Sequence, residues 1–143
     1  MRSGPQNHKI MSTSIKAKTH QKQQQEKLAS RIKTTKAFIV SNNLTGLLNN
    51  QKWFNLFEFI EDCNLSFQMK LLNSDEIIHI AQIFELEKTA ILIDLKGNFV
   101  IFLEIEKISI PRSVDIHDFL SQKKFEFNPL ENVIEIIGYR KNN

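Results

Sequence analysis

Cysteine, glycine and proline are scarce in this chain of 143 residues, which holds one Cys, four Gly and three Pro. A single cysteine excludes a disulfide scaffold. Glycines scattered at Gly4, Gly46, Gly97 and Gly138 exclude every glycine-rich phosphate loop. Long apolar runs are missing as well. The longest, Phe99 to Leu103 and Ala90 to Ile93, fall far short of the roughly 20 residues that a membrane span needs. No apolar core and no small-residue cleavage site follow the basic residues at the start, which argues against a secretory signal. Residues 1–25 lack acids, as transit peptides do, yet Lys, Gln and His stand where Arg and an apolar face belong. These absences exclude a spanning helix and make the cytoplasm the expected location.

What is present is unevenly charged. Residues 1–36 carry nine Lys or Arg against the single acid Glu26, a net of +8, while 37–143 carry ten basic and fifteen acidic residues, a net of −5. Residues 1–25 contain too few apolar side chains to offset the ordering of their backbone, about 1 to 2 kcal/mol per residue. They are expected to form a disordered basic leader, followed by a single domain over 26–143 with its core at about 44–140.

Apolar residues between Glu26 and Val40 suggest a first helix ended by Asn42 and Asn43. The clearest helix follows. Asn49 or Asn50 is suited to cap it, and Trp53, Leu56, Phe57 and Ile60 fall on one face at helical spacing. Glu58, Glu61 and Asp62 gather near its C-terminal end, where the helix dipole disfavours negative charge, and Lys70 is a candidate partner. From Leu65 the period changes to two, with Phe67, Met69 and Leu71 on one face of a strand. After the turn Asn73-Ser74-Asp75, a second strand runs through Ile78, Ile80 and Phe84, its alternation disturbed at Ala81 to Ile83.

Two further strands flank Gly97. A three-residue loop, Lys96-Gly97-Asn98, pairs Leu95 with Phe99, Ile93 with Ile101 and Ile91 with Leu103, which leaves one face wholly apolar. The opposite face carries Ala90, Leu92, Asp94, Val100, Phe102, Glu104 and Glu106, and pairs Lys88 with Glu106. Ser113 starts a short helix with Val114, Ile116, Phe119 and Leu120, Phe125 and Phe127 suggest a brief strand, and Val133 to Tyr139 returns to the sheet. The sum is an α+β fold: N-terminal helices packed on a mainly antiparallel sheet of four to six strands, with one further short helix.

Reactive groups are few. Cys63 becomes a nucleophile only if a base such as His79 or His117 approaches it, and otherwise is an inert thiol. Those two histidines are 38 residues apart without metal-ligand spacing, so neither a metal nor a cofactor is implied. Glu104 and Glu106 fall on one strand, about 7 Å apart from the strand rise, a separation that suits paired-carboxylate chemistry or a solvated strand face. With Asp94 they make an acidic strip interrupted by Leu92 and Phe102. Such a strip is either a partner site with an apolar anchor or, if a helix covers Leu92 and Phe102, part of the core.

Asn49-Asn50-Gln51-Lys52-Trp53 with Leu56-Phe57, then Ile105-Glu106-Lys107-Ile108-Ser109-Ile110, and finally Ile134-Glu135-Ile136-Ile137-Gly138-Tyr139-Arg140 resemble motifs of small uncharacterised bacterial proteins, a domain of unknown function. Those proteins open with an Asn-x-x-Lys-Trp helix and close on an Ile-x-Gly-Tyr strand. The resemblance covers about residues 44–140 and implies no activity, cofactor or catalytic residue.

The expected function is a non-catalytic protein-interaction module of the immunity or accessory kind, whose acidic domain binds a protein partner of basic character through Leu92, Asp94, Phe102, Glu104 and Glu106. Two alternatives stand beside it. One is a nucleic-acid-associated accessory protein that acts through the basic leader, and the other a small enzyme using Cys63 or Glu104 with Glu106.

Overall fold

A computed structural model describes residues 25–142. The chain divides into two units, Met1–Thr34 and Thr35–Asn143. The disordered leader expected from the sequence falls almost wholly on residues 1–24, outside the described residues. Helix α1 occupies 25–41, so the described part of the first unit is helical. Asn42 Nδ2 donates to the Phe38 carbonyl at its end, and Asn43 turns the chain with φ 53°.

The second unit is α+β. Its elements are β1 (Leu44–Gly46), α2 (Asn50–Asp62), β2 (Phe67–Leu71), β3 (Ile77–Ile80), β4 (Ile83–Glu87), β5 (Ile91–Asp94), β6 (Phe99–Ile101), a 3₁₀ turn (Phe102–Glu104), β7 (Ile105–Pro111), α3 (Val114–Gln122), β8 (Phe127–Pro129), β9 (Val133–Ile137) and β10 (Tyr139–Lys141). The strands form three antiparallel sheets, ordered β3-β2-β7-β9-β8, β4-β5-β6 and β1-β10.

Helix α2 anchors this unit. The Asn49 side chain caps it by accepting from the Lys52 amide at 2.8 Å, and Trp53, Phe54, Leu56, Phe57 and Ile60 are buried. Phe57 touches the rings of both Phe67 on β2 and Phe102 in the 3₁₀ turn, while Phe59 stacks on Phe119 of α3. The inner row of the five-stranded sheet runs Ile78, Met69, Ile108, Ile136, Phe127 across its strands. Isoleucine suits this role because a β-branched side chain loses little rotamer freedom on a pleated face.

Three local expectations are corrected. The strand expected to run through Ile78, Ile80 and Phe84 is two strands: the chain turns at Ala81, β3 and β4 belong to different sheets, and a register irregularity lies around Phe84. The hairpin around Gly97 pairs Ile93 with Phe99, Leu92 with Val100 and Ile91 with Ile101, a shift of two residues from the expected register. The cause is Asp94, whose carboxylate accepts from the amides of Lys96 and Asn98, both at 2.9 Å, and so closes a longer loop in which Gly97 takes φ 86°. A shift of two keeps every side chain on its expected face. Lastly, Lys70 does not serve the acids of α2. It pairs with Glu106 at 3.1 Å, because a register shift beside Lys70 turns Glu106 toward it, and Lys88 lies in the turn before β5.

The strand expected to carry Val100, Phe102, Glu104 and Glu106 on one face is broken by the 3₁₀ turn. Glu104 Oε1 accepts from the Ile101 amide, Phe102 N–H donates to the Ala90 carbonyl, Leu72 N–H donates to the Glu104 carbonyl, and the Tyr139 hydroxyl donates to the Leu103 carbonyl. Four hydrogen bonds from separate segments thus hold one corner, and through it the chain passes from the three-stranded to the five-stranded sheet.

Gly138 packs where no side chain fits. A Cβ there would lie 2.7 Å from the Ile105 carbonyl oxygen, 2.8 Å from Trp53 Cζ2 and 2.9 Å from the Glu106 carbonyl oxygen. Gly138→Ala is therefore expected to cost about 1 to 3 kcal/mol or more in urea unfolding. Trp53→Phe should not rescue it, since two of the three clashes are with backbone. Trp53→Ala alone should cost roughly 3 to 5 kcal/mol.

Candidate interaction face

The residues first expected to form a binding strip are mostly inside. Leu92 and Phe102 are fully buried and belong to the core, with α2 covering Phe102 through Phe57. Asp94 and Glu104 are buried too, the first organising its loop and the second tying the 3₁₀ turn. Only Glu106 is partly accessible, and it is paired with Lys70. Glu104 and Glu106 do not share a strand, because the former lies in the 3₁₀ turn and the latter on β7. The spacing expected from a shared strand therefore has no basis here.

Cys63 is exposed at the C-terminal cap of α2. His79 lies opposite Gln68 on β3, and the His117 ring on α3 meets Phe127 edge-on. Among the described residues, no group of three or more His, Cys, Asp or Glu is arranged to hold a metal ion, and no helix is long and apolar enough to cross a membrane.

Apolar side chains also occupy the other side of the same hairpin, and its exposed ones stand at one end. Pairing places Glu85, Ile93 and Phe99 in one cross-strand row and Glu87, Ile91 and Ile101 in the next, all on the face of β4-β5-β6 opposite the buried Leu92 and Val100. Ile91, Ile93 and Phe99 are half-buried, and Ile101 is buried yet stands outside the core cluster. At the end where Ile83 pairs with Asp94, Phe84 is 67% exposed and Leu95 58% exposed. An apolar centre rimmed by two carboxylates on the strand at the sheet's edge is thus assembled from twelve residues of local chain, Glu85 to Lys96, and β6. The alternation Glu85-Leu86-Glu87 was readable in advance. The exposure was not, since the hydropathy of Ile91, Ile93 and Phe99 is that of core residues.

A second concavity, of about 400 Å³, is lined by Phe125, Glu126, Phe127, Asn128, Ile137 and Arg140. Arg140 and Glu126 form an ion pair across it, and Lys52 lies over the Phe125 ring while donating to the Lys124 carbonyl. Its charged groups are thus already engaged with each other. At the C-terminal end of α2, partial burial and then the neighbouring charges of Asp62 and Glu58 raise the Glu61 carboxyl above its usual range.

The fold is that of a small α+β domain with antiparallel sheets of five, three and two strands and the helices α2 and α3. The chain belongs to a family of unknown function, DUF6678, whose model matches residues 35–143. That span coincides with the second unit. No curated protein and no solved structure matches the chain.

The motifs that carried the resemblance to uncharacterised proteins meet in space, since Asn49 caps α2, Trp53 packs on Gly138, and Tyr139 bonds to Leu103. Burial pushes the Tyr139 phenol up from 10.0 to about 12. A raised pKa means that the folded state keeps this proton after the unfolded chain has lost it. The contribution is complete below pH 10 and lost as pH rises through 12. Absorbance titration of this sole tyrosine should give a midpoint near 12, and Tyr139→Phe should lose less stability than the wild type over that interval.

Proposed function

We propose that the domain is a protein-interaction module of the immunity or accessory kind, and that the outer face of β4-β5-β6 is its binding surface for a basic protein partner. The observation that carries this reading is the pair Phe84, 67% exposed, and Leu95, 58% exposed, at one end of the hairpin, with Glu85 beside them on the edge strand. Interfaces of this type combine an aromatic or aliphatic anchor with a charged rim, the anchor supplying affinity and the rim association rate. The net charge of residues 35–143, eleven basic against fifteen acidic, favours a partner of positive charge. On this reading the partner meets the hairpin at Phe84 and Leu95 and not at the buried Leu92 and Phe102.

The test is photo-crosslinking from a residue introduced at Phe84 in the full chain, with Val114, exposed on α3, as the control position. The expected result is a crosslink from position 84 to a Lys- or Arg-rich segment of one protein, weakened by salt and by Glu85→Lys with Glu87→Lys. Association should slow about tenfold or more on that double reversal. Equal yields at positions 84 and 114, or capture unaffected by the reversals, would overturn this reading. A rival rests on the net +8 of residues 1–36, which favours nucleic acid. It expects salt-sensitive RNA or duplex binding by the full chain that is indifferent to the two reversals and absent from residues 35–143.

A further inference from the structure

Every open sheet leaves edge strands whose free N–H and C=O groups invite another chain, and proteins blunt them with short length, proline, charge or bulges. Among the described residues, the strands at sheet edges are β3 and β8, β4 and β6, and β1 with β10. β1, β6, β8 and β10 have three residues each, and β8 ends on Pro129, which lacks an N–H. β4 carries Glu85, Glu87 and the irregularity at Phe84. β3, one residue longer than these short edges, has neither proline nor charge nor a bulge. Its sequence Ile77-Ile78-His79-Ile80 contains no proline and no Asp, Glu, Lys or Arg, and its register against β2 is regular. Ile77 is 57% exposed.

We infer that β3 is a self-association edge: two copies of the chain pair β3 with β3 antiparallel about a two-fold axis through Ile78, joining two five-stranded sheets into one. The register follows from face and charge. Ile78 and Ile80 lie on the core side of β3, Ile77 and His79 on the open side. Residues opposed across an antiparallel pair project to the same side, so a continuous sheet requires the axis to pass through a residue and not between two. Centred on Ile78, the pairing sets Ile77 against His79 of the second copy and Ile78 against Ile78. The acids just before β3 then fall opposite uncharged residues, Glu76 against Ile80 and Asp75 against Ala81. Centring on His79 would set imidazole against imidazole, and a parallel in-register pairing would set Asp75 and Glu76 against themselves, which is repulsive. A two-fold contact of this kind closes on itself and ends at the dimer.

Sedimentation velocity on the full chain across a dilution series tests this. The expected species is a reversible dimer of twice the 16.7 kDa chain mass, its share rising with concentration. Ile77→Lys should leave only the monomer. A covalent test stands independently of that variant: in a Cys63→Ser background, Ile78→Cys should form a disulfide-linked dimer on mild oxidation, because directly opposed residues have Cα atoms about 4.5 to 5.5 Å apart. Asp75→Cys in the same background should stay monomeric, since it opposes Ala81. A wild type that remains monomeric at every concentration, a dimer that survives Ile77→Lys, or crosslinking of Asp75→Cys as fast as of Ile78→Cys would each overturn the inference. None of these outcomes bears on the face of β4-β5-β6.

Discussion

The contact between Trp53 and Gly138 is the constraint on which the second unit depends. With 2.7 to 2.9 Å between a notional Cβ and three neighbouring atoms, the backbone of the β9 to β10 segment lies directly on the indole and on the carbonyls of Ile105 and Glu106. That contact brings the start of α2, the entry to β7 and the end of β9 to one point. From there the order is imposed outward. Phe57, one helical turn along from Trp53 and stacked on it, reaches Phe67 and Phe102, so the helix that sits on Gly138 also packs on β2 and on the 3₁₀ turn between the two larger sheets. Tyr139, next in the chain, holds the Leu103 carbonyl in the 3₁₀ turn.

The 3₁₀ turn has the opposite role, separating what is continuous in sequence. An apolar run from Phe99 to Leu103 followed by Ile105, Ile108 and Ile110 has the composition of one long strand. Within it, Glu104 offers a carboxylate to the Ile101 amide and stops the ladder. The chain then enters a different sheet, and the bulge beside Lys70 re-aims Glu106 into an ion pair. A half-exposed pair of this sort contributes at most about 1 kcal/mol. Its consequence is mainly to occupy a carboxylate that strand periodicity had placed beside Glu104.

The same break explains why the accessible face changed sides. α2 approaches the hairpin from the Phe102 side, so Leu92, Val100 and Phe102 enter the core and the row of Ile91, Ile93 and Phe99 is left half-buried. The apolar side chains that stay open beside Glu85 are Phe84 and Leu95, at the end of the hairpin on which the proposed function rests. The edge strand β3 owes its openness to another cause: the chain leaves it at Ala81 for the three-stranded sheet, and nothing in its own four residues guards it.

The sequence by itself determined the α+β class, the capped helix α2 with its buried face and the parity of the hairpin, because each follows from local periodicity or from one side chain bonding its neighbouring backbone. Parity survived even where the register moved by two residues, since Asp94 lengthened the loop by an even step. The tertiary structure alone decided which face of that hairpin is inside, since both faces are largely apolar and only the approach of α2 distinguishes them. It also decided that Phe99 to Pro111 serves two sheets, that β1 pairs with β10, and that Gly138 lies under Trp53. These are contacts between residues up to a hundred positions apart, and no pattern within a single segment encodes them.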